Sequence, residues 1–194
     1  MEELIQNLTE YTRVTGGHER RTYLGLSQIS KSENELLEEL IDGTHKPDDD
    51  GVMLMALGYV VEADIRRRLE GIKVALPNTQ YEIVASYDPR VKGHIDGLTN
   101  IPGQIYEIKS TKQEKLDFIK NSGKLPTKDF LQVQGYLHHG KYKSCLVVYV
   151  ARDSGKIWAK ELWYMSSIGR MLEEKIKKVL HMYDATVTKM EIVK

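Results

Sequence analysis

The chain has 194 residues, 41% hydrophobic and 29% charged, with 28 basic and 28 acidic side chains and a net charge of zero. That size is enough for one globular domain with a proper core. The single cysteine, Cys145, excludes an intrachain disulfide and any four-thiolate zinc or iron-sulfur centre within one chain.

No apolar run approaches the roughly 18 residues of a membrane helix. Met1-Glu2-Glu3 does not open a secretory signal, so a cytoplasmic setting is expected. The zero net charge hides an uneven distribution. Residues Glu33 to Asp50 carry eight acids against one base, Lys46, a local net of −7, which leaves +7 on the remainder because the totals are 28 and 28. A basic body with one acidic flank can bind a polyanion, although a solvated acidic helix explains the same pattern.

In chain order, Met1 to Tyr11 has the spacing of a short helix, with Leu4, Ile5 and Leu8 on one side, stopped by Gly16-Gly17. Arg20, Arg21 and the hydroxyl of Ser27 follow, a composition suited to a phosphate. Ser32 and Glu35 form a capping-box signature, which predicts a helix that Gly43 ends. Val52 to Leu69 reads as a long helix with Leu54, Leu57, Val61, Ile65 and Leu69 on one stripe. Glu62 stands beside that stripe, and Gly58 one turn earlier leaves room near its carboxylate; the ordinary alternative is an exposed acid paired with Arg66.

Tyr81 to Tyr87, Val91 to Leu98 and Gln104 to Ser110 are β-rich runs separated by Asp88-Pro89 and Pro102-Gly103 turns. Next comes a lysine-dotted segment, Lys109, Lys112, Lys115, Lys120, Lys124 and Lys128, which suits either a nucleic-acid backbone or a solvated helix and loop. Asp129 to His139 reads as a helix, with Gln132 and Tyr136 one turn apart on a shared face. Ser144 to Ala151 is a strand covered on both faces, Ile157 to Met165 another strand, and Ser167 to Met182 a closing helix. The order predicts an α/β sandwich around one central mixed β-sheet flanked by α-helices.

Within the third β-run Glu107 and Lys109 share a face and Tyr106 and Ile108 the other. If the second and third runs pair, Asp96 lies beside Glu107, and two carboxylates so close repel unless a cation sits between them. Mg²⁺ or Mn²⁺ suits such an oxygen site. Lys109 could then orient or help deprotonate water, or neutralise charge on a phosphate.

Four pieces in this order resemble the PD-(D/E)XK nuclease superfamily, especially its RecB-like and lambda-exonuclease-like branches: Glu62 in Gly58-Tyr59-Val60-Val61-Glu62, Asp96 in Ile95-Asp96-Gly97-Leu98, Glu107-Ile108-Lys109, and Gln132-Val133-Gln134-Gly135-Tyr136. Arg20 or Arg21 followed by Ser27 resembles the phosphate-contacting element of the lambda-like branch. The resemblance implies a restriction-endonuclease-like fold over residues 1–194, with residues 1–50 a helical, DNA-contacting part and residues 51–194 the nuclease core. It implies that Glu62, Asp96, Glu107 and the Ile108 backbone carbonyl bind one or two Mg²⁺ or Mn²⁺ ions, and that Asp96, Glu107 and Lys109 are catalytic. Gln132, Tyr136, Arg20, Arg21, Ser27 and Lys112 would support the site and the DNA.

The activity so implied is a metal-dependent DNA exonuclease acting on end-bearing duplex or single strands in recombination, repair or mobile-element processing. A recombination or annealing protein and self-assembly are the partners this would bring, with no membrane. The absence of four cysteines separates the chain from iron-sulfur-bearing RecB-like relatives. A structure- or sequence-specific endonuclease, or a non-catalytic DNA-binding module, fits the same fold. A paired-carboxylate glycosidase would need aromatic sugar clefts, which the two tryptophans of one late strand do not supply.

Overall fold

Two sheets meet at Asp96. The computed structural model describes residue 12 and residues 23–43 and 48–192, so the expected helix over residues 1–11 and the Arg20-Arg21 pair lie outside the described residues. The run from Val91 to Leu98 divides into β3 (Val91–Ile95) and β4 (Gly97–Leu98), with a bend at Asp96. β3 lies between β1 (Leu24–Gly25), to which it is parallel, and β2 (Tyr81–Val84), to which it is antiparallel. β4 begins a second sheet of order β4-β5-β6-β7, built with β5 (Gln104–Thr111), β6 (Ser144–Ala151) and β7 (Ile157–Trp163).

The expected mixed β-structure flanked by helices is present, but it is divided into two sheets, each of them mixed: β1 and β3 run parallel beside antiparallel β2, and β5 and β6 run parallel beside antiparallel β4 and β7. The reason is local. The Asp96 carboxylate accepts the Ile108 N–H at 2.6 Å, so a side chain rather than a neighbouring strand satisfies that donor. β3 is then released from β5 without leaving a buried amide orphaned.

A parallel pair needs a crossover. Here it is made by α3 (Gln113–Ser122) and α4 (Thr127–Gly140), so part of the lysine-dotted segment is helical. The capping box forms as expected at α1 (Glu33–Asp42), where the Ser32 hydroxyl accepts the Glu35 N–H and the Glu35 carboxylate accepts the Ser32 N–H. Asp48 caps α2 (Asp49–Gly71) by accepting the Gly51 N–H at 2.8 Å. The last helix, α5 (Ser166–Ile192), runs ten residues beyond the expected end at Met182, since no Gly or Pro interrupts it before Ile192. No described helix is long and apolar enough to cross a membrane.

The period of two along β5 and β6 sorts the core. Ile105, Cys145, Val147 and Tyr149 join Val133, Tyr136 and Leu137 of α4 and Leu172, Ile176 and Val179 of α5 in one cluster, together with Leu24, Leu26, Ile29 and Leu36. Tyr106, Ile108, Val148 and Val150 point the other way and pack on Ile65 of α2. Consequently α4 and α2 approach β5 from opposite faces. The α2 stripe is buried only over its second half: Ile65 is in the core, whereas Leu54 and Leu57 are 50% and 43% exposed among the described residues.

Candidate active site

Glu107 sits on the α4 face of β5 and is only 4% exposed. Its Oε1 accepts from Lys109 Nζ at 2.8 Å and from Gln132 Nε2 at 2.9 Å. Gln132 Oε1 in turn accepts from Lys109 Nζ at 2.8 Å, which closes a three-membered ring of acid, amine and amide. The Gln132 amide also donates to Tyr136 Oη at 2.8 Å. One helical turn separates Gln132 from Tyr136, so one face of α4 delivers both. The Tyr136 ring needs Gly93 beneath it, since a Cβ there would fall 2.6 Å from Tyr136 Cε1.

Asp96 reaches the same place from the bend. Gly97 pairs with Tyr106, and continuing that antiparallel register sets Asp96 level with Glu107. Gly97 is required for close packing there, as a Cβ would lie 2.5 Å from the Tyr106 hydroxyl. An Ile108 carbonyl leaves the strand on the same edge as the Ile108 N–H, hence toward Asp96. Glu62 comes from α2, over the opposite face of β5. Its carboxylate accepts from Arg66 and, at 3.3 Å, from Gln80 Nε2.

The three acids are electrostatically strained. Burial, then the charges of Glu107 and Glu62, push the Asp96 carboxyl well above the usual carboxylate range. Burial also raises Glu107, against the pull of Lys109, and raises Glu62, against the pull of Arg66 and Lys109. For Lys109, burial is the largest single effect and works to lower the ammonium, but the Glu107 carboxylate together with Asp129 and Asp96 outweighs it, and the net shift is upward. Glu107 Oε2 is buried with no hydrogen-bond partner.

Among the described residues no three acidic, histidine or cysteine groups converge as a ready-made metal cluster. The cause is visible in the bonds above: Glu62 is turned to Arg66 and Gln80, and one oxygen of Glu107 is engaged by Lys109 and Gln132. The donor set nonetheless fits a hard divalent cation. All of its atoms are oxygens, its acids repel one another, and one buried carboxylate oxygen is unsatisfied.

Two cavities open on this cluster. One of about 210 Å³ is lined by Met55, Gly58, Tyr59, Glu62, Ile108, Lys109 and Ser110. The room expected beside Gly58 thus exists. The second, about 520 Å³, shares Met55, Tyr59, Lys109 and Ser110 with the first and adds Ser27, Lys115, Lys128, Asp129 and Gln132 among others. Lys109 stands where they join.

No protein-family model matches the sequence, and no curated protein matches it. Solved structures do. The chain is similar to an alkaline exonuclease, LHK-Exo, from Laribacter hongkongensis, with 16% identity and a TM-score of 0.73 over 89% of this chain and 93% of that one. The same exonuclease in complex with dAMP gives 15% identity and a TM-score of 0.73 over the same shares. The likeness gives the chain the restriction-endonuclease-like α/β fold of that exonuclease.

On this fold the chain brings together Glu107, Lys109, Gln132 and Tyr136 by hydrogen bonds, and adds Asp96, bonded to the Ile108 N–H between Glu107 and Lys109, and Glu62 by charge. Glu62 makes the expected pair with Arg66 but is half-buried rather than exposed, and it also lines the 210 Å³ cavity. Ser27 lies in a short 3₁₀ turn and lines the larger cavity. Lys112 is not with the acids; it precedes α3 and lines a third cavity.

Two groups at the site were not singled out from sequence. Asp129 accepts from the Tyr149 hydroxyl at 2.7 Å, and its charge acts on Glu107 and Lys109. Asp129 stands three residues before Gln132 and so shares its helix face. Tyr149 is the β6 residue opposite Lys109, which only the parallel register reveals.

Proposed function

We propose that the chain is a divalent-metal-dependent deoxyribonuclease that hydrolyses DNA phosphodiesters from an end, in recombination, repair or mobile-element processing. The observation that carries this reading is the ring of Glu107, Lys109 and Gln132, which leaves Glu107 Oε2 buried and unpartnered beside Asp96. Glu62, Asp96, Glu107 and the Ile108 carbonyl would hold the ion. Bound there, Mg²⁺ or Mn²⁺ would supply Lewis-acid polarisation of a phosphate oxygen and acidify a water molecule.

The chain's own residues account for the rest. Lys109, fixed on two sides and kept charged, faces the cavities and can neutralise a phosphate oxygen or orient the attacking water. Gln132 holds Lys109 and Glu107 in one geometry, and Tyr136 holds Gln132. Lys115, Lys128 and Ser27 line the larger cavity, where a phosphate backbone would run. The similar exonuclease bound to dAMP supports DNA as the substrate class.

The test is digestion of DNA labelled at either end, single-stranded and duplex, with a covalently closed circle beside it. Cleavage of the linear substrates that requires Mg²⁺ or Mn²⁺ and spares the circle is expected. Cut circles would instead identify an endonuclease on this fold, and full activity in EDTA would overturn metal dependence.

A further inference from the structure

Beyond Lys109 the groove continues into a third cavity, about 540 Å³, lined by Ser110, Thr111, Lys112, Glu114, Lys115, Phe118 and Arg152. It shares Ser110, Thr111 and Lys115 with the cavity over the acids. Phe118 is the anomaly: α3 buries Leu116 and Ile119, while Phe118 on its opposite side is 71% exposed. One of only two phenylalanines in the chain is thus presented to solvent at the rim of the groove. Lys115 lies three residues away, next to it on the helix face.

The surroundings are cationic and rigid. Lys112, Lys115 and Arg152 make no ion pair with an acid of the chain among the described residues, and Glu114 is the one acid in the lining. Arg152 is set against the end of β5 by its backbone N–H, which donates to the Thr111 carbonyl at 2.9 Å. The start of α3 is pinned from the β6–β7 turn, where Asp153 accepts the Gln113 N–H at 2.9 Å and 3.1 Å. An exposed aromatic face on a pinned helix, beside cations that make no ion pair among the described residues and contiguous with the cavity over the acids, is the chemistry of a single-stranded nucleic-acid track.

We infer that Phe118, flanked by Lys112, Lys115 and Arg152, is a base-stacking platform for a single DNA strand passing the active site. The inference rests on the nuclease reading above for the direction of the groove. An unstacked base lies on the Phe118 ring while the cations take the adjoining phosphates. Inside a duplex both faces of each base are covered by its neighbours, so the platform has no face to take there. The platform therefore grips the strand only where it is single.

The test uses the full chain in EDTA, so that no strand is cut, with fluorescence anisotropy on two labelled probes of about ten nucleotides. One is a thymine single strand and the other an abasic backbone of the same length and charge. The wild-type chain binds the thymine strand about tenfold tighter than the abasic one, Phe118→Ala removes that preference, and Phe118→Trp keeps it. Lys112→Ala and Arg152→Ala each lower the salt dependence of thymine-strand binding by about 0.7 in log–log slope. Circular dichroism shows whether Phe118→Ala is folded. Equal binding of both probes by the wild type, or an unchanged preference in folded Phe118→Ala, overturns the platform. Loss of the preference in Phe118→Ala alongside a wild-type chain that cleaves no DNA sustains the platform and removes the nuclease reading.

Discussion

Two constellations of acids in this molecule have opposite electrostatics. At one, Asp88 before β3 and Asp184 on α5 grip Arg90, with Arg90 Nε 3.0 Å from Asp88 Oδ1 and a terminal nitrogen 2.7 Å from Oδ2. Hydrogen bonds from Arg90 hold both carboxyls below the usual range. At the other, Asp96, Glu107 and Glu62 are all raised, with burial the largest cause in each. In the first set both carboxylates are hydrogen-bonded to Arg90, and neither keeps a buried oxygen without a partner. The second keeps an unpartnered buried oxygen despite Lys109 and Arg66, the demand that the proposed cation would meet. That difference separates a structural clamp from a site.

The largest expected break in the comparison is catalytic. Asp96→Ala, Glu107→Ala and Lys109→Ala should each lower DNA cleavage by at least roughly a thousandfold, while Arg90→Met leaves the rate unchanged. Gln132→Ala comes next, with a loss of about ten- to a hundredfold, because the residue positions the reacting groups through its amide. Initial rates on an end-labelled duplex measure both.

Stability gives the smaller effects, and the signs differ between the two sets. A raised carboxyl favours the folded state at low pH, and that contribution is lost as pH rises from the unfolded value toward the folded one. Metal-free Asp96→Asn should therefore melt a few degrees above the wild type at pH 8, with the gain shrinking toward pH 4. Asn keeps an oxygen for the Ile108 N–H and removes the repelling charge. A lowered carboxyl does the reverse: its contribution is present above the unfolded value and lost as pH falls through the folded one. Arg90→Met should cost less than about 3 °C at pH 7, since the pair with Asp184 is exposed, and the cost should shrink as pH falls below the ordinary carboxylate range. Thermal melts across pH in EDTA separate the two signs, and melts that shift alike in both variants would break the comparison.

Much of this was legible in the sequence, for reasons that differ by element. The capping box at Ser32 and Glu35 and the apolar run of β6 depend on local pattern alone, and both formed as expected. The alternation that sets Glu107 and Lys109 on one face of β5 is equally local, and their shared hydrogen bond follows from it. The break at Asp96 was legible only as a weak point, because Asp96 and Gly97 are both poor strand formers but do not say that the strand changes sheets there. Only the bond from Ile108 N–H to Asp96 explains why the strand changes sheets. The same holds for Tyr149 and Asp129, whose closeness to Lys109 depends on a parallel register that spacing does not encode. The α2 stripe overpredicted burial at Leu54 and Leu57, since periodicity says which face is apolar and not how far the sheet extends beneath it.

The central claim is that Asp96, Glu107 and Glu62 await a cation that the Arg90 clamp does not need. Mn²⁺ binding, read by the loss of the free-ion electron paramagnetic resonance signal, tests it most directly in four chains: wild type, Asp96→Asn, Glu62→Gln and Asp184→Asn. The account predicts that wild type and Asp184→Asn bind Mn²⁺ alike, and that Asp96→Asn and Glu62→Gln each weaken it by at least about tenfold. Equal Mn²⁺ binding in all four, or none in the wild type, would contradict it.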